Sequence, residues 1–282
     1  ESGLVVSATC TDCHTAHMEL PADDPKSSVN GANVAATCGE CHHGIEETFK
    51  TSVHWPGNKE TERELPNCES CHTSHTISRT DAEGFRLSMM NSCGRCHTDE
   101  AETFFDTYHG KVSRLGSEGA AKCYDCHGTH SILPPEDPGS TLSHDNVVGT
   151  CATCHPGAHR KFAGYLTHAT HHDPDKYPFL FYSFWFMTIL LTGTMTFALL
   201  HTGAWLWRLL RTKDKWIHHK QAQDTRMYVR FTTTHRLMHL VMLISFFTLA
   251  LTGMALKFSY MGWANLLSKM LGGFAAMGIF HR

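Results

Sequence analysis

The sequence predicts an all-helical chain in two parts: residues 1–175 as short helices and loops, and residues 176–282 as an all-α transmembrane bundle. Three observations carry that prediction. All 12 cysteines fall in six CxxCH pentapeptides. The pentapeptides recur as three copies of a pair. Beyond residue 175 the chain turns to long apolar runs interrupted by a basic loop.

The pairs are regular. Cys10, Cys13 and His14 precede Cys38, Cys41 and His42; Cys68, Cys71 and His72 precede Cys93, Cys96 and His97; Cys123, Cys126 and His127 precede Cys151, Cys154 and His155. The first motif steps from Cys10 to Cys68 to Cys123, by 58 and then 55 residues, and the second from Cys38 to Cys93 to Cys151, by 55 and then 58. This is an internal repeat of about 55 residues. CxxCH is the attachment pattern of c-type haem: two thiols three residues apart form thioethers to one porphyrin, and the next imidazole turns back to the iron. Disulfides, a redox CxxC or a zinc site would not require the histidine in all six motifs. Residues 1–175 therefore read as an extracytoplasmic, hexahaem cytochrome c domain, mostly short helices and loops packed around six haem c, with His14, His42, His72, His97, His127 and His155 as proximal iron ligands.

Six further histidines recur at fixed offsets. Three follow the first-motif proximal histidine by three residues, at His17, His75 and His130. Three follow the second-motif histidine by 12 or 13 residues, at His54, His109 and His168, behind Phe49, Phe104 or Phe162. All six are candidate distal ligands. A histidine three residues from a proximal ligand lies on the same side of that haem, so His17, His75 and His130 are expected to serve neighbouring haems. Which iron each one serves is open at this level. His43, His144, His159, His171 and His172 have no recurrent position and remain unassigned.

Composition sets further bounds. Residues 1–175 are poor in apolar side chains, as expected where porphyrins supply the core. Short helices are expected over 45–51 and 100–108, and Leu133-Pro134-Pro135-Glu136-Asp137-Pro138-Gly139 reads as a loop. The formal charge of −3, before haem propionates are counted, excludes nucleic acid as a partner. Glu1-Ser2-Gly3-Leu4 lacks the basic start and apolar run of a signal peptide, so the start is expected to be processed or incompletely represented.

From Pro178 to Trp207 there is no Asp, Glu, Lys or Arg. At about 1.5 Å per residue this run spans a hydrocarbon layer of about 30 Å. Aromatics cluster at both ends, from Phe179 to Phe186 and at Trp205 and Trp207. Arg208, Arg211, Lys213, Lys215, Lys220, Arg226, Arg230 and Arg236 follow and mark a cytoplasmic loop. A second span is expected over 237–257, and a third apolar element over 270–282 is still running at Arg282, so the bundle reads as incomplete. The repeats then belong on the periplasmic face of a bacterial or archaeal inner membrane. His201, His235, His239 and His281 lie in or at the ends of these runs, where ionisable groups default to a functional reading. His201 and His239 come at similar depth on antiparallel helices and are expected to be able to share a b-type haem. His218 and His219 fall in the basic loop and read as solvated.

Arg230-Phe231, His235-Arg236, His239 and Leu251-Thr252-Gly253 resemble the first core helix of the di-haem cytochrome b family that forms the membrane subunit of formate dehydrogenases and nickel-iron hydrogenases. Gly272-Gly273-Phe274 through His281-Arg282 resembles its next helix. The whole chain resembles multihaem c and cytochrome b fusion proteins of anaerobic respiration, which link menaquinone to periplasmic cytochromes. The resemblance implies one or two haem b, with His239 and His281 as ligands to different haems, each paired with a histidine on a later helix. The expected function is membrane-bound electron transfer between quinone or quinol in the bilayer and periplasmic or extracellular cytochromes, as part of a quinol:cytochrome c-type oxidoreductase. Two other classes fit less well: an anchor that wires a dehydrogenase or hydrogenase within a larger complex, and a nitrite- or hydroxylamine-type reductase, which needs an iron with an open position.

Overall fold

The computed structural model describes residues 7–58, 61–82, 84–165, 167–212 and 231–282. Lys213, Lys215, Lys220, Arg226 and Arg230 of the basic loop, with His218 and His219, lie outside the described residues. The described residues form helices and loops with no strand. They divide into two compact units, one running to Thr167 and including Ala255–Ala276, the other comprising His168–Met254 and Met277–Arg282.

The first unit repeats one local design three times. Each first motif is a five-residue helix: α1 (Cys10–His14), α4 (Cys68–His72) and α8 (Cys123–His127). A side chain caps each start, because the first N–H groups of a helix have no partner within it. Asp12 accepts from the Thr9 N–H at 2.6 Å, Asn67 from the Ser70 N–H at 3.1 Å, and Asp125 from the Lys122 N–H at 2.7 Å. Each helix ends on a left-handed residue: Thr15 (φ 63°), Thr73 (φ 64°) and Gly128 (φ 84°). With ψ of 168°, 176° and 174°, these lie in a region that glycine enters freely and threonine does not. That break redirects the chain just after the proximal histidine.

The second motifs straddle helix ends. Their first cysteines lie on α2 (Val34–Gly39), α5 (Phe85–Gly94) and α9 (Val147–Ala152). In the first two copies the proximal histidine caps the next helix, His42 before α3 (His43–Phe49) and His97 before α6 (Thr98–Asp106). In the third copy α10 (Arg160–Ala163) follows a turn. The helix expected over 45–51 therefore begins two residues earlier. The one expected over 100–108 stops at Asp106, because Thr107 is extended (φ −73°, ψ 166°) and its hydroxyl accepts from the Gly110 N–H at 3.2 Å to start α7 (Tyr108–Arg114).

A hydroxyl clasp holds the two motifs of each copy together. The carbonyl of the first motif's second cysteine accepts from Ser28 in copy one (Cys13), from Ser92 at 3.4 Å in copy two (Cys71), and from Thr141 at 2.6 Å in copy three (Cys126). Apolar burial among the described residues of the repeats is confined to Val34, Ala35, Met90, Phe104, Val112 and Leu115. The second span, expected from 237, starts earlier, at Thr233. A helix absent from the sequence reading, α13 (Gly262–Met270), belongs to the first unit and finishes α7: Asn265 donates to the Arg114 carbonyl at 3.0 Å and Ser268 to the Leu115 carbonyl at 3.1 Å. These are carbonyls that a helix end leaves open.

The second unit carries two helices long and apolar enough to cross a membrane, α11 (Pro178–Arg211) and α12 (Thr233–Lys257), whose last residues belong to the first unit. Pro178 sits at the start of α11, where a missing N–H costs nothing. No residue of the most apolar stretch of α11 is buried within the chain, so its hydrophobic surface is available to lipid. The apolar element expected over 270–282 begins as α14 (Phe274–His281), after Gly272 and Gly273 at φ 90° and 93°.

The left-handed residue after each first motif sets a stability prediction. Gly128→Ala places a Cβ 3.2 Å from the Ser131 carbonyl in a region costly for any side chain, and is expected to destabilise the chain by about 1–3 kcal/mol. Thr73→Gly relieves that conformation and is expected to be neutral or to stabilise by up to about 1 kcal/mol. A denaturant titration in detergent, followed by helical circular dichroism, compares the two.

Candidate haem-ligating histidine pairs

Four pairs of histidines face each other in the first unit. His14 faces His75 with ring centroids 6.0 Å apart, His54 faces His97 at 6.2 Å, His72 faces His130 at 6.1 Å and His109 faces His155 at 6.1 Å. Rings in van der Waals contact would stand about 3.5–4 Å apart. Two metal–nitrogen bonds of about 2.0 Å, with about 1.1 Å from each nitrogen to its ring centre, give about 6 Å. The spacing fits one iron between two imidazoles. The residues present therefore fit bis-histidine haem.

Every pair joins a proximal histidine to a recurrent extra one, and every pair crosses a boundary between copies. The first-motif histidines His14 and His72 take the +3 histidine of the following copy, and the second-motif histidines His97 and His155 take the distal candidate of the preceding copy. The backbone explains the first half of the rule. A left-handed residue directly after His72 turns His75 away from its own motif and towards His14.

Burial keeps these rings neutral where it is greatest. It lowers the pKa of His72, His109 and His130 below the ordinary value, with smaller contributions from His42, His155 and His72 respectively. A neutral imidazole is the form that binds a metal. His155 also lies against Phe162, centroids 5.0 Å apart, and His72 against Phe85 at 6.1 Å.

The cysteines follow the same order in space as in sequence. All twelve are free thiols. Across the copy boundaries the Cys38 thiol lies beside that of Cys68, and the Cys93 thiol beside that of Cys123. The contact draws the Cys68 thiol down to about 7 and pushes the Cys38 thiol upward, and Cys93 and Cys123 divide in the same sense. Within copies, burial raises the Cys13, Cys71 and Cys126 thiols, and the nearby Cys38, Cys93 and Cys151 raise them further. The six motifs thus follow one another in space as they do in sequence.

The remaining candidates are placed differently. His17 and His42 are exposed, and neither has another ring opposite it among the described residues. His127 closes α8, and His168 lies after α10. His43, Glu46 and Glu47 bring ligand atoms within 4.8 Å of one another on the surface, but Lys50 already bridges both carboxylates, at 3.1 and 2.7 Å.

In the second unit, His281 meets Thr252 with Nδ1 and Oγ1 2.8 Å apart. The Thr252 hydroxyl donates to the Thr248 carbonyl at 2.7 Å, so at His281 it accepts the Nδ1–H and leaves Nε2 with its lone pair. Gly253 lets the ring approach: a Cβ there would stand 3.4 Å from His281 Cε1. His201 stacks on Phe197 of its own helix, centroids 6.1 Å apart, and makes no contact with His239 among the described residues. His235 is held by Thr232, Nδ1 to Oγ1 2.9 Å. Thr252 is the functional residue the sequence reading passed over, quoted there only as part of a motif.

The crossed pairing predicts which haem a mutation reaches. His75→Met should leave all covalent attachment complete and raise the potential of the haem held by Cys10, Cys13 and His14, since a Met/His pair raises the potential relative to two histidines. Redox titration with the first motif's haem resolved by magnetic circular dichroism reads this; a change confined to the haem of Cys68 and Cys71 contradicts the pairing. Comparison with protein-family models, with characterised proteins and with solved structures finds no match to this chain.

Proposed function

We propose that this chain is a membrane-anchored electron conduit, carrying electrons between quinone or quinol in an inner membrane and periplasmic or extracellular cytochromes through one or two haem b and six haem c. The observation that carries the reading is the set of four imidazole pairs 6.0–6.2 Å apart, each built from a CxxCH histidine and a histidine of a neighbouring copy. Each haem would supply a reversible one-electron iron couple; the chain supplies ligands, placement and burial.

The paired geometry favours relay over turnover. An iron held by one of these four pairs would have no position left for substrate. The thiol contacts Cys38–Cys68 and Cys93–Cys123 would bring the porphyrins of successive copies edge to edge across both copy boundaries.

Two candidate membrane spans support a bilayer as the surrounding of the second unit. His281, with its tautomer set by Thr252, is the best-prepared ligand there for a haem b. Attachment of haem c outside the cytoplasm puts the repeats on the periplasmic side, opposite the basic loop. Menaquinone and other subunits of a respiratory complex are the partners this arrangement would accept.

A pyridine haemochrome spectrum of the purified chain is expected to give about six haem c together with haem b. A spectrum without haem c overturns the proposal, and one without haem b overturns its membrane half. Thr252→Val should weaken haem b binding about tenfold or more, the usual effect of removing a ligand's orienting partner, with the haem c content unchanged.

A further inference from the structure

We infer that the face of copy one that carries His17 and His42 is a ligand-exchange face for a further di-haem c unit of the same kind. The inference rests on the haem reading above and extends it to a partner. At each interior boundary two ligations cross in opposite directions. Between copies one and two they are His75 to the His14 iron and His54 to the His97 iron; between copies two and three, His130 to the His72 iron and His109 to the His155 iron.

The leading face of every copy therefore presents the same two half-sites. One is an outward +3 histidine; the other is a second-motif haem that takes its distal imidazole from the preceding copy. In copies two and three the preceding copy meets both. In copy one the half-sites are His17 and His42, both exposed, with no ring opposite either among the described residues. They do not serve each other. By the repeat, His17 stands to His42 as His75 stands to His97, and those two are committed to different irons.

The backbone before His17 is a second, independent indication. Thr15 holds φ 63° and ψ 168°, the costly conformation that at Thr73 aims His75 across a boundary. Copy one keeps this conformation although no described residue of the chain receives its histidine. A single imidazole or small ligand would complete the His42 iron and leave His17 unused. A second CxxCH pair with the same offsets completes both.

The test uses carbon monoxide on the reduced, purified chain, after a haemochrome count. The haem c of His42 is expected to bind it, contributing one equivalent per chain, because only an iron lacking a strong sixth ligand does so readily. His17→Ala should leave that response unchanged. Residues 68–121 are then joined ahead of Thr9, with Cys93→Ser and Cys96→Ser in the added copy so that it brings one haem and no new open iron. This variant should bring the haem c count to about seven and remove the His42 equivalent of the response, because the added copy's counterpart of His109 reaches the His42 iron. Removing that histidine from the added copy should restore it. Six haem c with no carbon monoxide response in the original chain overturns this inference alone, whereas no haem c overturns the haem reading as well. A response that appears only on His17→Ala, from a chain that elutes as a dimer, would replace it with two copies joined end to end. Persistence of the His42 equivalent in the extended variant also overturns it.

Discussion

Two imidazoles held about 6 Å apart across the boundary between repeats are the constraint on which the first unit depends. Within a copy, the left-handed residue after each first motif, the caps of α1, α4 and α8, and the hydroxyl clasps on Cys13, Cys71 and Cys126 hold one side of such a pair in place. None of them closes a pair within its own copy. Because each boundary is crossed in both directions, the same contacts that would complete iron coordination also fasten one copy to the next. An array built this way has little freedom to loosen without separating its imidazole pairs.

Side-chain chemistry outside the motifs reinforces the fastening. Arg86 on α5 pairs with Asp125 on α8 at 2.6 Å, linking copy two to copy three, and Asn67 donates to the Gly31 carbonyl at 3.3 Å, linking copy two to copy one. Thr51 and Val53 meet Ser131 and Ile132, so copies one and three also touch. Lys122 is the largest of the fully buried side chains, and its ammonium donates to Ser113 Oγ and to the Ser117 and Ala120 carbonyls, at 3.0, 3.0 and 2.7 Å. Burial lowers its pKa, and three acceptors are what make a buried ammonium tolerable. A unit with six buried apolar side chains in its repeats relies on such polar ties, each worth about 1 kcal/mol, in place of a continuous hydrocarbon core.

Much of this was legible before any coordinates. Cysteine spacing marked the three copies, and the recurrent offsets of His75, His54, His130 and His109 marked them as ligand candidates, because covalent attachment chemistry demands local sequence order. The partner of each was not legible. An offset of three residues says only that a histidine leaves its own haem; which neighbour it meets depends on a backbone break carried in two copies by threonine, a residue that gives no hint of positive φ. The helix α13 escaped notice for a related reason: Gly262–Met270 lies beside two apolar runs and carries polar residues, Asn265 and Ser268, whose use is to close the end of α7 about 150 residues earlier.

The two units solve the same problem of aiming an imidazole by different means. In the repeats, covalent attachment through two cysteines would bring the porphyrin to a histidine already placed by the helix it closes or caps, so orientation is a matter of backbone. Within a membrane helix no such tether is available, and an unsatisfied ring N–H in hydrocarbon costs several kcal/mol. Thr252 meets both needs at once: its hydroxyl spends its proton on its own helix and its lone pair on His281 Nδ1, which satisfies the ring and fixes which nitrogen remains for a metal. One threonine thus does on α12 what a five-residue motif does in the repeats, and a contact that needs a single hydroxyl leaves little trace for sequence to show.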